Sequence, residues 1–473
     1  MRQLGGGDAI WFALETENTP MHIMEVAIYD PSTRTGPPID LARVKEFIRL
    51  RIGGLPLRQK LVTPPWHADF PYWVEDEDFD LDNHIHEIEI QAPGDWEAFL
   101  ASLEDLMEVP LDRSKPLWEM YLMRGLRGIP GVSDGCFALA RKLHHGQFDG
   151  TNIIKLLGRL HSTGPESDPP ASEWSRDEWS PEQTPSATEL LLRSPWNRTR
   201  RIWKGLQVFG RNMPNLVGAL FSWDSEDEPK ADEETLSKTR FSRSIKSRRR
   251  IFDGLTFPLE DVKTIRRKVD GATVNDAALA IIAGALRRYL DAHDDLPELP
   301  IVIGMPVSAH TEDDPEDAGN RLSGMLINLH IEKADPLERL RLAREATRRA
   351  KQSSEQIGAE NVADMLDALP TYLLGPPIEQ FVRSGLASHI PMGFSGIALT
   401  NAQGPREPLY FDGARMVKTH GGAFLFDGMG LLFAATNYCD DFLIQITSSP
   451  EILPDPDLLL RSLRESFEEL MAL

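Results

Sequence analysis

Apolar and polar positions recur along the chain with two periods, and their order predicts an interleaving of strands and helices. Ile23 to Tyr29 has strand propensity; Pro31, Gly36 and Pro37 then signal turns, and Leu41, Val44, Phe47, Ile48 and Leu50 return at helical spacing. Gly94 to Leu106 reads as a second helix, Trp118 to Met123 as a strand, and Cys136 to Leu143 as a strand that runs straight into His144. The pattern restarts after residue 250. Ile251 to Phe257 is strand-like, and Leu259 to Val269 and Val274 to Leu290 are helical. Ile301 to Met305 and Met325 to Leu329 read as strands, Leu337 to Ser353 and Met365 to Leu373 as helices, and Gly430 to Asn437 with Phe442 to Thr447 as a hairpin. Leu458 to Met471 closes the chain as an amphipathic helix with Leu459, Leu463, Phe467 and Leu470 on one face. Strands and helices in mixed rather than strictly alternating order make the class α/β.

Two polar stretches interrupt this rhythm. Gly164 to Glu189 is rich in Pro, Ser, Glu and Asp, and Asp224 to Lys238 is acidic and abuts the basic Arg240 to Arg250. They predict an N-terminal domain over 1–185, a helical and acidic linker over 186–240 and a C-terminal domain over 241–473, in keeping with 473 residues being too many for one ordinary core.

Charge narrows the function. With 51 Lys+Arg against 73 Asp+Glu, the net charge of -22 argues against nucleic acid as a partner, because neutralising phosphates needs a basic field. A polyanionic ligand would need basic residues gathered locally. Cys136 and Cys439 are too few for a disulfide framework and no zinc-ligand spacing occurs, so a reducing cytoplasm is the expected compartment and no metal is expected. Met1 to Asp8 lacks the parts of a secretory signal, and no apolar run reaches the roughly 18 residues of a spanning helix. Any membrane contact is therefore expected to be peripheral.

The segment Leu143-His144-His145-Gly146-Gln147-Phe148-Asp149-Gly150 carries the most chemistry: a strand end, a Gly-bounded turn, then the apolar helix Ile153 to Leu160. Adjacent histidines on a strand point to opposite faces, so one can enter a cleft while the other packs or hydrogen-bonds. They cannot easily share one metal ion. A neutral imidazole, with an unperturbed pKa of about 6.5, is the side chain best matched to taking a hydroxyl proton as that hydroxyl attacks a thioester. Asp149 can brace the turn through an ion pair or backbone N–H bonds, and Gly146 and Gly150 permit its tight path.

This HHxxxDG motif is shared by coenzyme A-dependent acyltransferases and condensation domains of peptide synthetases. Further segments make the chain resemble the bacterial wax ester synthase/diacylglycerol acyltransferase family nearly end to end. Pro116-Leu117-Trp118 resembles that family's PLW motif, Asn275-Asp276 its ND motif and Gly319-Asn320-Arg321 its GNR segment. Asp8-Ala9, Pro20-Met21-His22, Phe79 to His84 and Leu111-Asp112-Arg113-Ser114 are similar to further landmarks. The family's usual Asn-Val-Pro-Gly-Pro is here Asn401-Ala402-Gln403-Gly404-Pro405, and loss of the inner proline is expected to loosen that loop. The resemblance implies two chloramphenicol acetyltransferase-like domains with mixed sheets flanked by helices, joined by a helical linker, with a tunnel between them. It implies transfer of a fatty acyl group from acyl-CoA, as co-substrate and with no bound cofactor, to a long-chain alcohol or diacylglycerol. His145 would be the general base, supported by His144 and Asp149. Gln147, Gly150, Asn275, Asp276, Pro116, Leu117 and Trp118 would shape the site or bind substrate, although Asn-Asp opening a helix is also a capping signature and Trp118 also suits burial.

Arg193 to Trp223 combines six basic residues with Ile202, Leu206, Phe209, Met213 and Leu216 at helical spacing, which suits either an anionic membrane or lipid-inclusion surface or a helix packed on the body. Two other functions stay open at this stage. One is a condensation-type acyltransferase using carrier-protein thioesters; the other is a catalytically silent lipid-binding homologue. A Ser-His-Asp hydrolase is disfavoured, since Gly393-Phe394-Ser395-Gly396 lacks the second spacer of a nucleophile elbow.

Overall fold

The computed structural model describes residues 1–53, 55–148, 150–166, 183–197, 199–200, 203, 239–308, 322–357 and 395–473. The helix expected over 365–373, the Gly319-Asn320-Arg321 segment and Asp149 lie outside these residues, as does most of 193–223.

The N-terminal half runs β1 (Arg2–Gln3), α1 (Gly6–Leu14), β2 (His22–Asp30), α2 (Leu41–Arg49), β3 (Gln59–Val62), β4 (Tyr72–Glu75), β5 (Ile85–Glu89), α3 (Trp96–Glu108), β6 (Trp118–Arg124), β7 (Phe137–His144) and α4 (Gly150–Leu160). Beyond residue 239 the chain runs β8 (Ile251–Pro258), α5 (Leu259–Arg267), α6 (Val274–Asp291), β9 (Ile301–Ser308), β10 (Leu322–Leu329), α7 (Pro336–Ile357) and β11 (Ile397–Ala402). It ends with β12 (Tyr410–Phe411), β13 (Ala414–Gly422), β14 (Leu431–Tyr438), β15 (Asp441–Ser448) and α8 (Pro456–Ala472).

Local chemistry sets the helix starts. Asp40 and Asp95 accept hydrogen bonds from the Arg43 and Ala98 amides and so begin α2 and α3, while Thr273 and Asp276 form a reciprocal capping box on α6. On α8 the stripe Leu459, Leu463 and Leu470 is buried and Phe467 partly so, as its periodicity predicts.

Among the described residues the strands make two six-stranded mixed sheets, ordered β12-β13-β2-β7-β6-β5 and β10-β9-β11-β14-β15-β8, and a small sheet β1-β4-β3. Helices flank the large sheets, which makes the architecture the expected α/β one. Every residue of β7 is buried, as suits a central strand covered on both faces. Its Phe137, Leu139 and Leu143 join Val44, Phe47 and Leu156 in one core layer, whereas Ala138 and Ala140 face Phe99, Leu103 and Met107 of α3.

Among the described residues, the chain crosses between the two large sheets out of order at residues 410–422. Residues 410–422 follow β11 of the second sheet, yet β13 pairs antiparallel with β2 of the first, from Arg415 opposite Asp30 to Gly422 opposite Met24. The chain then returns to the second sheet as the β14–β15 hairpin expected from the sequence.

Candidate active site

β7 delivers the two histidines at its end, and neighbouring backbone holds each of them. The His144 N–H donates to the Leu117 carbonyl (3.1 Å) and the His145 N–H to the Met21 carbonyl (2.9 Å). The Pro116-Leu117-Trp118 and Pro20-Met21-His22 segments are thus rails on either side of the pair. Gln147 ties the turn down: its Nε2 donates to the Pro56 (2.6 Å) and Gln59 (3.0 Å) carbonyls, and its Oε1 accepts from the Leu117 N–H (3.1 Å). Trp118 donates through Nε1 to the Leu57 carbonyl (2.6 Å), and its own carbonyl meets His84 Nδ1 (2.8 Å). Leu117 and Trp118 are buried, so their side chains pack in the core.

His144 is fully engaged. Its Nδ1 accepts the Gly146 N–H (3.0 Å), which leaves the ring hydrogen on Nε2, and Nε2 lies 3.1 Å from a carboxylate oxygen of Glu15. Its ring stacks on Phe12 of α1 at 4.4 Å and 8°. Glu15 also accepts from the Arg113 guanidinium. Burial alone would raise the Glu15 carboxyl, but the His144 hydrogen bond and the Arg113 guanidinium outweigh it and bring it down to about 2.

His145 has different surroundings. Its imidazole is only half-buried, with Trp11 of α1 tilted over it at 4.2 Å and Phe424, from the segment after β13, edge-on at 4.8 Å. Phe424 packs against the core of the second sheet, so this ring lies at the seam between the two large sheets. Gly146 is needed for the close approach of α1: a Cβ there would lie 2.5 Å from the Phe12 ring.

Beneath the pair is a buried polar floor. His22 sits opposite His144 in the β2–β7 register, accepts the Leu111 N–H at Nε2 (3.3 Å), and is driven well below the usual histidine range by burial and the nearby Lys142 charge. Lys142, wholly buried, donates to the Leu106 (2.8 Å) and Val109 carbonyls at the end of α3, where a cation complements the helix dipole.

Asn275 and Asp276 stand on the second half, at the start of α6. Asp276 is buried; it accepts from the Thr273 backbone (2.7 Å) and hydroxyl (2.8 Å) and from the Thr347 hydroxyl of α7 (2.5 Å), which makes it a cap and a tie between helices. Asn275 accepts from Asn401 Nδ2 at the end of β11 (2.9 Å). Beyond Asn401, Asn437 bonds both the N–H (3.1 Å) and the C=O (3.2 Å) of Gly404 and ties the loop to β14.

His144, His145, Gly146, Gln147, Leu117 and Trp118 are therefore joined in one hydrogen-bonded unit, with Gly150 opening α4 just beyond it. Asn275 and Asp276 belong to the other half. Sequence reasoning missed Trp11, Phe12, Glu15 and Phe424, which contact the histidines directly. The apolar α1 has no one-sided stripe to betray it, and the clearest signal was an acid directly after an apolar run and shortly before Pro20-Met21-His22. Among the described residues no group of three His, Cys, Asp or Glu side chains could share a metal ion.

The chain matches known acyltransferases along its length. A family model described as the wax ester synthase/diacylglycerol acyltransferase catalytic domain matches residues 4–278, and one described as the WS/DGAT C-terminal domain matches residues 318–471. It is 26% identical over 475 residues to the O-acyltransferase WSD of Acinetobacter baylyi, covering 99% of this chain and 96% of that protein. It is 28% identical over 477 residues to a Mycobacterium tuberculosis protein provisionally named a diacylglycerol O-acyltransferase, covering 100% and 97%. Its fold is similar to that of the wax ester synthase/diacylglycerol acyltransferase from Marinobacter aquaeolei VT8, with a TM-score of 0.69, 24% identity and full coverage of both chains. It also resembles the starter condensation domain of rhizomide synthetase, with a TM-score of 0.54, 13% identity and coverage of 100% and 94%.

Proposed function

Because the chain belongs to the wax ester synthase/diacylglycerol acyltransferase family, we propose that it transfers a fatty acyl group from acyl-CoA to a long-chain alcohol or a diacylglycerol, with His145 as general base. The alcohol oxygen gives its proton to the imidazole as it attacks the thioester carbonyl carbon. The tetrahedral intermediate expels coenzyme A, whose sulfur takes that proton from the imidazolium, leaving a wax ester or triacylglycerol and a free thiol. No covalent acyl-enzyme forms.

The contrast between the two histidines carries this assignment. A base needs a lone pair that can meet substrate, and His144 spends its own on the Gly146 N–H inside the core. His145 is half-buried at the seam, where a ligand entering between the halves would meet it. His144, Gln147 and the Leu117 backbone hold the turn that carries it. We assign Asn275 and Asp276, on the second half, a role in shaping the site from that side.

The ester product, wax ester or triacylglycerol, is a lipid, so we propose that the enzyme is cytoplasmic and works peripherally on the inner membrane or on lipid inclusions. Among the described residues no helix is long and apolar enough to cross a membrane. Leu192, Trp196 and Trp203 point outward with 76%, 75% and 66% exposure, a disposition suited to a lipid–water interface.

The deciding experiment incubates the purified protein with palmitoyl-CoA and a panel of long-chain alcohols and diacylglycerol, following thiol release and ester formation beside His145→Ala. Ester formation should occur with the native chain and disappear in the variant; retained turnover in His145→Ala would overturn the mechanism.

A further inference from the structure

We infer that Glu15 is a positioning residue for acyl transfer: held by Arg113, it fixes the His144 ring and anchors α1, so that Trp11 and Phe12 clamp the two histidines from the side. The inference rests on His145 being the base.

The contacts form a closed loop. α1 ends at Leu14, and the next residue reaches across to β7. Glu15 takes the Nε2–H of His144, and the other ring nitrogen of His144 takes the Gly146 N–H, so the carboxylate dictates which nitrogen carries hydrogen and which backbone amide is satisfied. With the ring so oriented, Phe12 stacks flat upon it at 4.4 Å, and the preceding residue, Trp11, is brought over His145 at 4.2 Å. Arg113 supplies the countercharge, and its guanidinium lies 5.7 Å from the Phe12 ring centroid. Glu15 touches neither reacting group in this arrangement. It acts through His144, as a carboxylate behind a histidine commonly does.

The stretch after Glu15 is strapped from the second half. Arg248 donates to the Glu17 carbonyl (2.7 Å) and carboxylate (2.9 Å), and the buried Arg250 donates to the Asn18 carbonyl (2.5 Å). These bonds tie Glu17 and Asn18 to the second half, next to the contact between Glu15 and His144.

The test compares full-length Glu15→Gln, Glu15→Ala and His145→Ala with the native chain, using palmitoyl-CoA and 1-hexadecanol. Gln keeps a neutral acceptor for His144 but loses the charge-assisted bonds, so kcat should fall about fivefold with KM for palmitoyl-CoA within about twofold and a nearly unchanged melting temperature. Ala should cost about thirtyfold or more in kcat, again with little change in KM. Selective histidine labelling read by nitrogen NMR should show the Nε2–H form of His144 in the native chain and a mixture of forms in Glu15→Ala. Full kcat in Glu15→Gln, which holds its fold even if Ala does not, would overturn the inference. So would losses in kcat and KM that simply track melting temperature in both variants. If Glu15→Gln is fully active while His145→Ala is dead, only the positioning role fails; if His145→Ala turns over, the base assignment fails and takes this role with it.

Discussion

Gly146→Ala is a stringent probe of how tightly α1 is pressed against the histidine turn. A methyl at this position would sit 2.5 Å from Cε2 and 2.8 Å from Cζ of Phe12, against an ordinary contact of 3.4 Å or more, so the ring must retreat by roughly 0.9 Å. It has little room to do so. Phe12 is buried among Leu4, Trp73, Leu111 and Leu117, and its other neighbour is the His144 ring on which it stacks. Overpacking of this kind costs about 2 kcal/mol, within a usual range of about 1 to 3, or roughly a thirtyfold change in the unfolding equilibrium. Urea unfolding followed by far-UV circular dichroism would measure that loss, and thiol release from palmitoyl-CoA would measure activity at the same temperature. Activity should fall further than the unfolded fraction explains, because displacing Phe12 also frees His144. Phe12→Leu in the same chain makes room for the methyl, so the double variant should recover about 1 kcal/mol relative to the sum of the single changes. A Gly146→Ala protein within about 0.5 kcal/mol of native and fully active would show that α1 gives way freely and does not grip the turn.

Three further outcomes follow from the same geometry. Gln147→Leu strips bonding from the Leu117 N–H and the Pro56 and Gln59 carbonyls, so urea unfolding should reveal a loss of about 3 kcal/mol; a loss below about 1 kcal/mol would mean that these groups find other partners. Burial, with Arg141 nearby, lowers His161 to about 3, and burial, with Lys418 nearby, lowers His420 to about 3. Each unfolded ring takes a proton near pH 6.5 that the folded ring refuses until about pH 3, so stability present above pH 6.5 is lost as pH falls through that window. Denaturation at pH 7 and pH 5 should differ by about 4 kcal/mol, about 2 from each ring, and a flat profile would refute the assignment. Replacing Trp196 and Trp203 together by Ser should reduce co-flotation with anionic liposomes several-fold without changing thiol release from short-chain acyl-CoA; undiminished flotation would remove these residues from any lipid contact.

Legibility in the sequence followed local periodicity. β7 announced itself because Phe137 to Leu143 is apolar enough to be covered on both faces and then breaks at His-His-Gly, and α8 because Leu459, Leu463 and Leu470 repeat at helical spacing. The different surroundings of the two histidines followed from their adjacency, though not which contacts create them. α1 was unreadable: it starts with two glycines and is buried at seven positions, leaving no polar face to contrast with an apolar one. β13 was missed because Lys418, Thr419 and His420 interrupt its apolar residues and its pairing shifts register between Met416 and Lys418. Phe424 reaches His145 only through the return of the chain to the first sheet, a long-range arrangement that no window of neighbouring residues can reveal. The Asn275-Asp276 pair was half legible, since the capping role of Asp276 follows from Thr273 three residues earlier, whereas the reach of Asn275 to Asn401 depends on the approach of β11 to α6.

The passage of β12 and β13 into the first sheet has a consequence for synthesis. During translation β2 and β7 can pair early, but the other margin of β2 stays bare until residue 422 has left the ribosome, a long interval in which its N–H and C=O groups invite any passing strand. A fragment truncated after the first half would keep that raw margin for good and should clump rather than behave as a free-standing module, so the two halves must be born on one polypeptide to finish each other.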